Sequence, residues 1–408
     1  MNNSSRLDRE LQAELDSLRQ NRLLRSLAPS PAAGGKFRDG SREILNFSSN
    51  DYLDLASDPR VIESARRAVE RYGAGVGASR LMSGHLALHE ELEARLARLT
   101  AQPAALAFGS GFLTNLGVIG AVCGRADAIF EDRLNHASLI DGARLCGAKL
   151  FRYRHNDLEH LLSLLKANTA FRRRLIVSDS IFSMDGDRAS LRELETAARD
   201  HDCALMIDEA HAIGVAGPGG GGLCLAFDPP VRPDIVVGTL SKALGSYGGF
   251  AAGSAILREW LINRARGFIY STGLPPACLG AAMGALEALE AEPRMAEELQ
   301  RRAAEFRAEL VQSAFDLGDS STQILPILVG GNETALAFSR RLRQRDMIAI
   351  AVRPPTVPPG RARLRLSVTL AHEPNDLRRA ARILREEAEA LRAAPPENPS
   401  SIREEQRP

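Results

Sequence analysis

Lysine is almost missing from this chain. Of its 52 basic residues only Lys36, Lys149, Lys166 and Lys242 are lysine, the other 48 being arginine. Arginine does not give up its proton in a protein, so chemistry that needs a neutral amine must use one of four side chains or the N-terminus. The five cysteines (Cys123, Cys146, Cys203, Cys224, Cys278) are odd in number, widely spaced and free of a C-x-x-C pair. That argues against a disulfide framework or a zinc knuckle and fits reduced thiols. Neither sign of charge prevails: 52 basic against 51 acidic residues leave a net +1, without the broad positive field that nucleic-acid binding draws on. No G-x-x-x-x-G-K-[ST] loop occurs, so Asp208-Glu209-Ala210-His211 cannot be read as the acidic box of a nucleotide hydrolase. The first ten residues carry charge and no apolar core, so no secretory signal is expected and the expected location is the cytoplasm. The most apolar stretch, 103–124, is broken by Ser110, Thr114, Asn115 and several glycines, which suits a buried element and not a membrane span.

What is present is an ordinary globular composition, 44% hydrophobic and 25% charged over 408 residues, long enough for more than one domain. Residues 1–59 read as an N-terminal arm, with an amphipathic helix over 6–28 and a loop over 29–41. From 60 to 290, helical stretches (61–72, 86–99, 157–167, 190–200) alternate with short apolar strands (104–108, 128–132, 174–179, 204–208, 234–240). That alternation predicts parallel pairing with crossover helices, an α/β layered domain. Residues 291–392 read as a smaller α+β domain, helical to about 316 with strands at 323–329, 348–352 and 362–369. The polar, proline-rich stretch 393–408 is expected to be disordered.

Ligands of parallel α/β sheets gather where strands end at their carboxyl edge. Gly109-Ser110-Gly111-Phe112 follows one strand and leads into a helix, offering backbone N–H groups to an anion. Asp208 leaves another strand, with His211 three residues on. Lys242 follows a third, among small and apolar residues that favour a desolvated, nucleophilic amine, whereas Lys36, Lys149 and Lys166 lie in polar settings. An anion nest, a carboxylate and such an amine at one sheet edge meet the needs of pyridoxal phosphate: phosphate donors, a partner for the ring nitrogen and a lysine for the aldehyde. Other matches lack context. Gly73–Ala78 fits a dinucleotide fingerprint but follows a helix. Ser163–Lys166 fits S-x-x-K without its companion motifs. His85 and His89 lack a third ligand, so both read as solvated and no metal is expected.

The segments LNFSSNDYLDLA (45–56), GASRLMSGH (77–85), FGSGFLTN (108–115), NHASLIDGA (135–143), HND (155–157), FSMDGD (182–187), IDEAHAIGVAG (207–217), TLSKALG (239–245), IYSTGLPP (269–276) and VRPPTVPPGRARLRLSVTLAH (352–372) resemble the α-oxoamine synthases. These are fold-type I pyridoxal-phosphate enzymes with an aspartate aminotransferase-like fold: a large domain with a mainly parallel sheet and a smaller α+β C-terminal domain. The resemblance implies that Lys242 binds the cofactor and Asp208 partners its ring nitrogen. It implies that His136 stacks on the ring, while His211 and Ser183 meet the ring's phenolic oxygen. Ser110, Gly111, Phe112, Thr239 and Ser241 would hold the phosphate, joined by Thr272 from a second subunit of a homodimer. Arg365 would clamp the carboxylate of the amino acid near Asn50, and Arg25 and Thr356 would line the acyl channel. The branch matched most closely by FSMDGD and RPPTVPPGRARLRL condenses L-alanine with a pimeloyl thioester, carried by coenzyme A or an acyl carrier protein, in biotin synthesis. Related branches use glycine with acetyl-CoA or serine with a long acyl chain. The glycine run 217–222 replaces a G-x-x-G-[RK]-G loop, and Ser180-Ile181 replaces a Gly-Val pair.

Overall fold

The computed structural model describes residues 5–27 and 29–393. Its centre is a seven-stranded sheet made of β3 (Ala104–Phe108), β4 (Ala128–Asp132), β5 (Lys149–Tyr153), β6 (Arg174–Asp179), β7 (Ala204–Asp208), β8 (Ile235–Thr239) and β9 (Gly249–Gly253). A hairpin, β1 (Lys36–Asp39) and β2 (Arg42–Asn46), precedes them, and β10 (Ile324–Gly330), β11 (Met347–Ile348), β12 (Ile350–Val352) and β13 (Ala362–Ser367) follow. The order across the large sheet is β3-β9-β8-β7-β6-β4-β5, with β9 antiparallel to both neighbours and the remaining pairs parallel.

Helices cover both faces of this sheet, so its inner strands are buried on both sides and read as apolar runs, while β5 at the margin stays half exposed. Alternate residues point to opposite faces. Leu106, Ile129, Leu175, Met206 and Val237 pack into one apolar cluster, and Ala105, Phe130, Ile176, Leu205 and Val236 into another. Because β4, β6, β7 and β8 run parallel, Asp132, Asp179, Asp208 and Thr239 end at one edge, joined by the start of β9 through the pairs Phe108–Gly249 and Thr239–Gly249.

The smaller sheets bring arginines to that edge. β13 pairs antiparallel with β10 and β12, carrying Arg363 and Arg365, both buried. β11 pairs parallel with β2, so residues 36–46 and 347–348 share a sheet.

Several expectations need correcting. The first helix ends at Gln20 and not at 28, because it buries no side chain and nothing beyond Gln20 extends its apolar stripe. Lys36 lies in β1 inside the expected loop, held by Asp376 at 3.0 Å. Lys149 opens β5, a strand absent from those expected. β9 was hidden by its composition, Gly-Phe-Ala-Ala-Gly, which has little strand propensity. Small residues are required there: a Cβ on Gly249 would lie 2.6 Å from the Gly111 nitrogen, and one on Gly253 2.6 Å from the Asp234 carbonyl. The strand expected over 348–352 is split between two sheets, and the helix after Pro293 ends at Gln312. His89 is fully buried and not solvated. Of the tail expected at 393–408, Ala393 closes the last helix and the rest lies outside the described residues.

Candidate active site

Lys242 sits in the turn after β8, closed by the Gly245 N–H donating to the Lys242 carbonyl at 2.9 Å. Gly245 has φ +56°, and a Cβ there would lie 2.4 Å from the Ala56 nitrogen, so the turn is pressed against the chain at 55–56. The Lys242 amine is 2.9 Å from His211 Nε2, whose Nδ1 is 2.7 Å from the Tyr52 hydroxyl. Burial, assisted by the Arg365 charge, lowers the lysine pKa to about 8 against the pull of Asp208 and Asp179. Burial also drives His211 well below its ordinary value, with Lys242, Arg365 and His136 adding to the effect. The imidazole is therefore neutral at physiological pH, bonded at both nitrogens.

Asp208 ends β7 with both oxygens engaged. Asn115 Nδ2 donates to Oδ2 at 2.7 Å and the Ala210 N–H to Oδ1 at 2.9 Å. Asn115 also donates to Ser138 Oγ at 2.9 Å, and Ser138 Oγ lies 2.7 Å from His136 Nδ1. Asp179, paired in register with Asp208, accepts from the His136 N–H at 2.7 Å. Burial and the neighbouring Asp208 raise the Asp179 pKa well above the usual carboxylate range. His136 is exposed, and its ring meets Phe112 edge-on at 6.5 Å between centroids.

The helix Gly111–Val122 starts where β3 ends. Ser110 Oγ accepts from the Leu113 N–H, which leaves the Gly111 and Phe112 N–H groups as first-turn donors, aimed out of the helix where its dipole favours an anion. Thr239 Oγ1 and Ser241 Oγ lie 2.7 Å apart, and Thr239 sits 3.5 Å from where a Gly111 side chain would begin. A desolvated amine, a bonded carboxylate and a cradle of N–H and hydroxyl donors fit pyridoxal phosphate.

Arg365 is held from several directions. Its Nε donates to the Ser183 carbonyl at 2.6 Å, Nη1 to Asn50 Oδ1 at 3.0 Å and Ser367 Oγ at 2.7 Å, and Nη2 to the Tyr52 hydroxyl at 3.3 Å. Ser183 thus joins the site through its backbone. Arg25 donates to Thr356 Oγ1 at 3.2 Å, an exposed pair whose bond runs to each other and not to the Lys242 group. Thr272 is exposed, bridges to Ser79, and lines a cleft with Arg80, Phe108 and Gly109. The two departures from the resembled pattern meet at Glu209. Its carboxylate accepts from Ser180 Oγ at 2.6 Å and from the N–H groups of Leu223 and Cys224 at 3.0 and 2.8 Å, fixing the end of the glycine run.

Sequence reasoning passed over Tyr52, Asn115, Ser138, Asp179 and Gln323, whose Nε2 donates to the His211 carbonyl at 2.9 Å. Tyr52, Asn115 and Ser138 lay inside quoted segments. Asp179 offered a signal of its own, as a carboxylate at the end of an apolar strand.

A model of the aminotransferase class I and II family matches residues 42–384. The chain belongs to this family, and its fold is that of the fold-type I pyridoxal-phosphate transferases. It is 48% identical over 362 residues to the 8-amino-7-oxononanoate synthase of Anaeromyxobacter dehalogenans, covering 88% of this chain and 91% of that one. Among solved structures it resembles a serine palmitoyltransferase from S. paucimobilis with a PLP–myriocin compound bound, at TM-score 0.89 and 26% identity, covering 96% and 100% of the two chains. It also resembles the 8-amino-7-oxononanoate synthase of Francisella tularensis, at TM-score 0.74 and 28% identity, covering 86% and 99%.

Proposed function

We propose that this protein is a pyridoxal-phosphate-dependent acyltransferase that condenses L-alanine with a pimeloyl thioester, releasing carbon dioxide, the free thiol and 8-amino-7-oxononanoate. The observation that carries the reading is the Lys242 amine, 2.9 Å from a neutral His211 at the sheet edge where Asp208 ends. When bound, pyridoxal phosphate supplies the electron sink for the carbon that loses a proton and later a carboxylate. Lys242 would hold the cofactor and, displaced by the amino group of alanine, take the alanine Cα proton, its pKa of about 8 giving a far larger neutral fraction near pH 7 than an ordinary lysine has. Asp208, fixed by Asn115 and the Ala210 N–H, would keep the ring nitrogen protonated. His136 would cover the ring face, and His211 would face the phenolic oxygen beside Ser183. Ser110, Gly111, Phe112, Thr239 and Ser241 would bind the phosphate. Arg365 and Asn50 would orient the alanine carboxylate, and with it the bond that breaks.

Arg25 and Thr356 would line the acyl channel. Thr272, exposed beside the exposed apolar side chains Leu81, Met82 and Tyr270, supports a homodimer in which it reaches the partner subunit's phosphate site. Among the described residues no helix is long and apolar enough to cross a membrane, and we place the enzyme in the cytoplasm.

The identity to the oxononanoate synthases favours alanine and a pimeloyl thioester, while the backbone match to serine palmitoyltransferase supports serine with a long acyl thioester as a second reading. Incubating the holoenzyme with each amino acid and thioester pair and measuring thiol and carbon dioxide release decides between them. Turnover is expected with alanine and pimeloyl thioester. Turnover confined to serine with palmitoyl-CoA, or glycine with acetyl-CoA, would refute the assignment.

A further inference from the structure

The segment HND has no part in the mechanism above and FSMDGD enters it only through Ser183, yet the structure joins the two. His155 Nδ1 lies 3.0 Å from Asp132 Oδ1, at the end of β4, and its Nε2 lies 2.8 Å from Asp187 Oδ2, at the end of the 182–187 loop. The His155 ring stands edge-on to Phe182 in the same loop, with centroids 4.4 Å apart. Asn156, at φ +50°, donates its Nδ2 to Asp187 Oδ2 at 3.0 Å and its backbone N–H to Asp132 Oδ2 at 2.8 Å. The loop is closed by the Gly186 N–H on the Phe182 carbonyl at 2.8 Å and the Phe182 N–H on the Asp187 carbonyl at 3.0 Å. Its Ser183 carbonyl receives Arg365 Nε at 2.6 Å.

We propose that His155 is a positioning residue: bridging Asp132 and Asp187, it fixes the 182–187 loop against the sheet edge and so sets the Ser183 carbonyl that aims the Arg365 guanidinium at the substrate carboxylate. The inference rests on the reading of Arg365 as the carboxylate clamp. A ring between two carboxylates satisfies both only with a proton on each nitrogen, and a doubly charge-assisted bridge is short and directional. Burial opposes that charge, but Asp132 and Asp187 outweigh it and raise the imidazole pKa to about 10. The bridge is therefore charged through the physiological range. Other bonds hold the rest of the loop: Arg363 reaches the Met184 carbonyl and Asp185, and Thr322 Oγ1 the Gly186 carbonyl. Phe182 and Ser183, which precede them, depend on the His155 end.

The test uses the holoenzymes of His155→Gln and Asp187→Asn, the second keeping the size of the side chain in case the first folds poorly. Three quantities are read: alanine affinity from the change in cofactor absorbance, KM and kcat for both substrates, and amide hydrogen exchange over 182–187. The expected result is alanine binding at least ~10-fold weaker, with kcat and the thioester KM within about threefold and faster exchange at Phe182 and Gly186. Alanine affinity within twofold of the parent, or unchanged exchange in the loop, would overturn the proposal. An Arg365→Lys control separates the two readings. If it leaves alanine affinity unchanged, the clamp assignment fails, whereas a normal loss there with none in the His155 and Asp187 variants refutes the bridge alone.

Discussion

Replacing Arg365 with lysine keeps the positive charge and removes the planar fork. The guanidinium donates to the Ser183 carbonyl, Asn50, Ser367 and the Tyr52 hydroxyl. A lysine ammonium, three donors on one point, cannot reach acceptors spread around a plane. Two or more of the four bonds go. With each charge-assisted bond contributing roughly 1.5–3 kcal/mol and water restoring part of it, Arg365→Lys should lower folding stability by about 3 kcal/mol. The loss of one bond to the alanine carboxylate, at a similar magnitude, weakens alanine binding by roughly 10- to 150-fold. Titrating L-alanine into the holoenzyme while following the cofactor absorbance gives the affinity directly. The KM for the thioester serves as internal control and should stay within about twofold. A folded Arg365→Lys protein that binds alanine as tightly as the parent would show that the carboxylate is held elsewhere.

Further outcomes follow from the same geometry. In the cofactor-free protein, burial holds Lys242 at about 8, so its neutral fraction, and with it the rate of reconstitution with pyridoxal phosphate, should rise ~10-fold from pH 7 to 9 and then level off; a rate still climbing about fivefold per unit at pH 10 would place the amine at its ordinary value. Asn115→Ala removes the 2.7 Å donor to Asp208 and should lower kcat about tenfold with alanine affinity within threefold, as read by steady-state kinetics; an unchanged kcat would count against Asp208 acting through that bond. For His155, burial opposes the charged ring, but bonds to Asp132 and Asp187 outweigh it and raise the pKa to about 10. Its contribution to stability is complete below the unfolded value near ~6.5 and is lost as pH rises through about 10. Denaturant unfolding of His155→Gln should therefore show its largest deficit near pH 6 and a vanishing one near pH 10, and a deficit independent of pH would contradict a charged bridge.

Of the parallel strands, β4, β6, β7 and β8 were legible because each is a run of apolar residues closed by a polar one at the functional edge; β5, Lys-Leu-Phe-Arg-Tyr at the margin of the sheet, was not, since it lies half exposed and carries two charges. β9 was not, since its sequence answers to crowding against Gly111 and Asp234 and not to strand propensity. The β1–β2 hairpin was masked by glycines and by charged residues on an edge, where one face stays wet. The Lys242, Asp208 and Ser110–Phe112 elements could be found because they follow strands in order along the chain. Tyr52 and Arg365 could not be paired by spacing: 313 residues separate them, and only the folded chain brings the hydroxyl to both Arg365 and His211. Asp179 and Asn115 escaped for another reason. They act on His136 and Asp208 and not on a ligand, so no ligand chemistry pointed to them.

The central claim is that one lysine of four carries the cofactor. Lys36 is bonded to Asp376 and Glu43, which raise its pKa against the effect of its burial, and Lys149 reaches over the Phe151 ring. Borohydride reduction of the holoenzyme followed by proteolysis and mass spectrometry reads the attachment point. A pyridoxyl group on the peptide containing Lys242 is the predicted result; the group on Lys36, Lys149 or Lys166, or on no peptide, would contradict the account.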